Sequence, residues 1–117
     1  LICNDGLYEM GFPLLEGQAA DPDAKIMILC SPHNPVGRVW TKEELARVGE
    51  ICKKNNVLVI ADEIHSDLVY AGYVHTPFAL ASDAPHLVCT SLGKTFNVAG
   101  LRLANIFQLF SRTEKTV

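Results

Sequence analysis

Lys94 stands three residues after Ser91 and eight before Arg102, in the string T-S-L-G-K-T-F-N-V-A-G-L-R at 90–102. A lysine can hold a carbonyl carbon as a Schiff base. A serine hydroxyl and an arginine fork are groups that grip a phosphate. Two further polar residues adjoin apolar sequence: Asp62 follows the run V-L-V-I-A at 57–61, and Asn34 lies in S-P-H-N-P-V-G at 31–37. A carboxylate beside a ring nitrogen keeps that nitrogen protonated, and an amide can donate to a ring hydroxyl. Asn34, Asp62, Ser91, Lys94 and Arg102 could together serve a ligand with an aldehyde, a ring nitrogen, a ring hydroxyl and a phosphate. Each also has an ordinary role open to it. Lys94 could be a surface lysine, Asp62 a strand-end capping acid and Asn34 a turn residue before proline. Arg102, near the start of an apolar run, could snorkel at the surface.

Gaps of 28 and 32 residues separate Asn34, Asp62 and Lys94, so a fold must collect them. Lys25 to Cys30 is a short apolar run closed by Ser31-Pro32, which reads as a strand buried on both faces. Two prolines and a glycine make 31–37 a loop. Thr41 with Glu44 three residues later forms a capping box that starts a helix. Leu45, Val48, Ile51 and Cys52 recur at helical spacing as its buried stripe. Lys53 and Lys54 suit its negative end, and Asn55-Asn56 can supply a left-handed terminating residue. Val57 to Ala61 is the next strand. A short turn or helix is expected near Ser66 to Tyr70, then a loop through Pro77. Leu87 to Thr90 reads as a strand, and Leu103 to Phe110 as a last one. Strand, loop, helix and strand predict a right-handed βαβ unit. In open α/β sheets, ligands bind outside the carboxyl ends of the strands. Asn34, Asp62 and Lys94 each follow such an end.

The order and wording of these strings resemble the class I/II aminotransferase family, the pyridoxal-phosphate enzymes of fold type I. S-P-H-N-P-V-G is similar to that family's N-P-x-G loop, which implies that Asn34 contacts the cofactor's ring hydroxyl. V-I-A-D-E-I-H-S-D at 59–67 is similar to its strand-end motif, so Asp62 would pair with the pyridine nitrogen. The 90–102 string resembles its lysine segment, in which Lys94 would form the Schiff base while Ser91 and Arg102 hold the phosphate. D-E-I-H-S-D with K-T-F-N-V-A-G-L is most similar to the branch of cystathionine β-lyase-like C–S lyases. The resemblance implies an α/β fold: a three-layer αβα large domain with a mostly parallel sheet, of which residues 1–117 are the central fragment. It implies β-elimination from cystathionine or a cysteine S-conjugate to pyruvate, ammonia and a thiol. Amino-acid transamination is the alternative. Two positions depart from the family. Gly93 stands where a Ser usually precedes the lysine, and His65 where many members have Tyr, so His65 is the candidate replacement for that cofactor contact. The family's upstream phosphate turn and stacking aromatic, and its downstream carboxylate-binding Arg, have no counterpart in this sequence. The chain opens on Leu1-Ile2-Cys3 without Met. A catalytically inert scaffold or oligomerisation piece is therefore the rival expectation for the isolated chain, and a homodimer the expectation for the full-length protein.

Other chemistries fit the residues less well. Gly93-Lys94-Thr95 imitates the end of an ATP-binding loop, but Val88 stands where that loop needs Gly. Asp62, Glu63, His65 and Asp67 could suggest a metal, yet their side chains should diverge on a turn, leaving a solvated acidic loop. Thirteen acidic and 10 basic residues give a net charge of −3, and the basic residues are scattered, which argues against a nucleic-acid surface. Hydrophobic residues make up 49% and charged residues 20%, a composition suited to a globular core. Cys3, Cys30, Cys52 and Cys89 form no C-x-x-C pair and read as reduced, buried thiols. No signal peptide pattern and no apolar run near ~20 residues is present. The expectation is a cytoplasmic protein, without membrane contact, acting on a small amino acid.

Overall fold

A computed structural model describes residues 1–108. The chain opens with a hairpin: β1 (Ile2–Asn4) pairs antiparallel with β2 (Leu7–Glu9). Asp5 and Gly6 turn it, both at positive φ, the geometry a two-residue hairpin needs. α1 (Phe12–Ala19) follows, with Pro13 in its first turn, where a missing N–H costs nothing. None of these three elements was legible in the sequence.

The main sheet has the order β3-β4-β5-β6. β3 (Ile26–Cys30), β4 (Leu58–Asp62) and β5 (His86–Thr90) run parallel, and β6 (Asn105–Gln108) returns antiparallel to β5. The mostly parallel sheet is as expected, with β4 displaced one residue so that Asp62 ends the strand. Of the last expected strand, residues 109 and 110 lie outside the described residues.

α2 (Lys42–Lys54) connects β3 to β4. Its capping box is formed in both directions: Glu44 N donates to Thr41 Oγ1 at 3.1 Å, and Thr41 N donates to Glu44 Oε2 at 2.8 Å. Leu45, Val48, Ile51 and Cys52 are all buried, each worth about 1.5–3 kcal/mol if fully withdrawn from water. Asn56 adopts φ 57° after the helix, the left-handed residue expected there. α3 (Phe78–Ala81) is one further turn, and it seats the buried Phe78 beneath α2. Gly49 allows that approach, since a Cβ there would lie 1.9 Å from Ser82 Oγ.

Among the described residues the helices cover one face of the sheet. Leu29, Val59, Ala61 and Val88 point into that face and are buried. Ile26 and Ile28, alternate residues on the other face, are 58% and 73% exposed. This corrects the expectation that β3 is buried on both sides: two of the three layers are present, and the apolar face of β3 shows where the third belongs. The thiol expectation is corrected in the same way. Cys52 is buried on the inner face of α2, whereas Cys3 is exposed and Cys30 and Cys89 are half-buried. No helix among the described residues is long and apolar enough to cross a membrane.

Candidate functional site

The carboxyl ends of β3, β4 and β5 lie side by side. Register places Cys30 against Asp62 and Asp62 against Cys89. Partners in register project to the same face, so the Asp62 carboxylate is flanked by a thiol on each neighbouring strand. Its one hydrogen bond among the described residues is a long contact from Ile64 N at 3.4 Å. The Cys89 thiol is pushed above its ordinary pKa, first by burial and then by the Asp62 charge.

The loop after β3 is closed by His33 N donating to Arg38 O and Gly37 N to His33 O, both at 2.8 Å. Gly37 takes φ 72°, a conformation that favours glycine. Cys30 Sγ accepts from Asn34 N at 3.4 Å and donates to Pro32 O at 3.3 Å. Trp40 Nε1 donates to Cys30 O at 2.9 Å. Arg38 stacks over Trp40 at 4.6 Å, binds Glu44 at 2.8 Å and donates to Tyr8 O. The loop is thereby fastened to the helix cap and to the hairpin. His33 lies edge-on to Trp40, and burial lowers its pKa. The Asn34 side chain makes no hydrogen bond among the described residues and opens on a cavity of about 540 Å³.

His65 lines the same cavity, and its Nδ1 is buried without a partner. It sits in a turn at 64–67, where Ser66 N donates to Glu63 O and Leu68 N to His65 O. The helix considered near Ser66 to Tyr70 does not form; the turn takes its place. Glu63 anchors that turn and is only 3% exposed. Its Oε1 accepts from Phe78 N at 2.8 Å, and Oε2 lies 3.0 Å from His75 Nε2. The expected solvated acidic loop is thus wrong for Glu63, whose carboxylate replaces water with two buried partners. A second acid directly after Asp62 at the end of an apolar strand was the available signal, but its partners lie 12 and 15 residues away.

Lys94 rides on α4 (Leu92–Thr95) beyond β5, exposed and without a bonded partner among the described residues. Ser91 caps that helix by accepting from Gly93 N at 3.0 Å, and its hydroxyl donates to Leu103 O at 2.7 Å. A hydroxyl has one proton to give, so Ser91 could hold an anion only by releasing Leu103. Arg102 is exposed, in the left-handed region at φ 51°. The Ser91–Leu103 bond brings it near the base of α4. Gly93 is buried, and a Cβ there would meet Ser91 Oγ at 3.0 Å and Ala99 Cα at 3.5 Å, which gives its departure from Ser a packing reason. Asn34 and His65 therefore share a cavity. Asp62, Ser91, Lys94 and Arg102 stand outside its lining, at the ends of the adjoining strands.

A family model for aminotransferase class I and II matches residues 13–108. This chain belongs to that family. The aminotransferase class I and II fold also appears in its relatives. Cystathionine β-lyase PatB of Bacillus subtilis (strain 168) is 46% identical over 109 residues, covering 91% of this chain and 28% of that protein. The crystal structure of cystalysin from Treponema denticola, which contains pyridoxal 5′-phosphate, superposes with a TM-score of 0.88 at 40% identity. That match covers 92% of this chain and 28% of that one. The PLP-bound C–S lyase from Staphylococcus hominis gives 0.89 at 41% identity, over 95% of this chain and 29% of that one. The chain thus spans less than a third of the relatives it matches.

Proposed function

We propose that this chain is the cofactor-holding portion of a pyridoxal-phosphate-dependent C–S β-lyase acting on cystathionine or another cysteine S-conjugate. The observation that carries the proposal is the delivery of an amide, a carboxylate and an amine to the adjacent carboxyl ends of β3, β4 and β5. The residues suit the cofactor because their polar groups are uncommitted. The side chains of Asn34 and Lys94 have no hydrogen-bond partners among the described residues, the Asp62 carboxylate has one long contact, and a buried His65 nitrogen is unsatisfied. The names and bound cofactors of the relatives support the same choice.

Pyridoxal phosphate, when bound, supplies a ring that accepts electrons from the substrate Cα. Asp62 would hold the ring nitrogen protonated. Asn34, with His65 beside it, would donate to the ring hydroxyl. Lys94 Nζ would hold the aldehyde carbon and, once displaced by substrate, take the Cα proton. Arg102 and the backbone around Gly93 would face the phosphate, with Ser91 joining them if it exchanges Leu103 for a phosphate oxygen. Transamination starts with the same proton removal, and the family's own description keeps it as the second reading. The proposal extends to a cytoplasmic homodimer for the full-length protein.

The full-length protein should release pyruvate from a cysteine conjugate with no keto acid added. A steady requirement for a keto-acid acceptor would instead assign it to the aminotransferases. Borohydride reduction should fix the cofactor on Lys94, and a label mapped to another lysine would overturn the site.

A further inference from the structure

Lys94 occupies a helix of four residues in which only Gly93 is buried. A single turn with so little buried surface cannot hold a side chain's direction by packing. Its internal hydrogen bonds, Phe96 N to Leu92 O and Val98 N to Gly93 O, shape the turn without aiming it. The Ser91–Leu103 bond ties the segment to its own return strand. One contact reaches elsewhere: Thr95 Oγ1 donates to Asp67 Oδ2 at 2.8 Å, across 28 residues. Among the described residues it is the one hydrogen bond that joins 91–104 to the chain before β5.

Asp67 is well placed for this. It closes the turn that begins at Glu63, and the Glu63 carboxylate is clamped to His75 and Phe78. The turn is therefore fixed to the end of β4, the strand that carries Asp62. Successive residues on a helix point about 100° apart. Holding Thr95 on one side of α4 thus fixes its rotation and sends Lys94 to another side. We infer that the Asp67–Thr95 hydrogen bond positions Lys94 relative to the end of β4. This inference rests on Lys94 being the cofactor lysine. Asp67 and Thr95 are positioning residues, acting through the rotation of α4.

The probe is pyridoxal phosphate added to the full chain, followed by borohydride reduction and peptide mapping. The readout is label at Lys94 divided by label at Lys42 and Lys54, internal controls on the surface of α2. Unfolding would also erase the preference, so the ratio is read only for variants whose circular dichroism and urea midpoint match those of the unsubstituted chain. The unsubstituted chain should favour Lys94. Asp67→Ala and Thr95→Val should each lower the ratio roughly threefold to tenfold, the range for losing one typical hydrogen bond. The double variant should fall no further than either single one, because both remove the same bond. Asp67→Asn, which keeps an acceptor, should retain most of the preference. A ratio that survives both Asp67→Ala and Thr95→Val overturns the inference alone. So does a fall in one of them without the other. No preference for Lys94 in the unsubstituted chain overturns the cofactor reading, and the inference with it.

Discussion

The β3–α2–β4 unit and the segment from Ser91 to Gln108 contribute to one site by opposite means. The first is a packed unit. Leu45, Val48, Cys52 and Val59 are fully buried, and the loop carrying Asn34 is fastened by Trp40, Arg38 and the helix cap. The second has little interior. Gly93 is buried in α4, and all of β6 is exposed. β6 is held by its ladder to β5, but the stretch between them depends on individual hydrogen bonds from Ser91 and Thr95. The difference teaches that Asn34 and Asp62 are placed by the core, whereas Lys94 is placed by contacts that substitution can remove singly.

The sharpest way to break the comparison is to damage the core. Leu45→Ala should cost about 2–5 kcal/mol in urea unfolding, and a loss below about 1 kcal/mol would mean that α2 is not the packed element. Glu63→Ala should come next, at roughly 1–3 kcal/mol, because it strands a buried imidazole and the Phe78 N–H. Glu63→Gln keeps an acceptor for that N–H and should lose less. Gln also fills the same space, so equal losses would show that neither volume nor the acceptor for Phe78 N–H, but the carboxylate facing His75, is what counts.

A smaller effect tests the row of thiols around Asp62. The Cys89 pKa is raised in the folded chain, so the folded state holds its thiol proton more tightly than the unfolded one. The associated stability is complete below the ordinary thiol value of about 8.5 and is lost as pH rises through the folded value. Asp62→Asn removes the second cause of that shift and leaves burial. Iodoacetamide should then alkylate Cys89 faster at about pH 8.5, as more thiolate is present. An unchanged rate would separate Asp62 from Cys89. The smallest effect belongs to the lysine itself: Lys94→Ala should alter stability by less than about 0.5 kcal/mol. A larger loss would show that α4 packs more firmly than its exposure indicates.

These contrasts follow how each part was legible. Asn34, Asp62 and Lys94 could be placed at strand ends because apolar runs closed by Pro, Asp or Gly are local patterns. The capping box of α2 was equally local: Thr41 and Glu44 are three residues apart and form both bonds. The hairpin at β1–β2 and the single turn α3 escaped notice because they are short, with few buried residues to set a periodicity. His65 could be named as a candidate, but its sharing of a cavity with Asn34 depends on two loops meeting.

The sequence by itself determined the order of the strands' polar ends, the helix between the first two, and the family, since all three rest on neighbours in the chain. Tertiary structure decided which groups are free to act. Glu63 was withdrawn to His75 and Phe78, Ser91 spent its proton on Leu103, and Thr95 was drawn to Asp67. Each choice pairs residues 12 to 28 positions apart, and a hydrogen bond is satisfied by whatever the fold brings within about 3 Å.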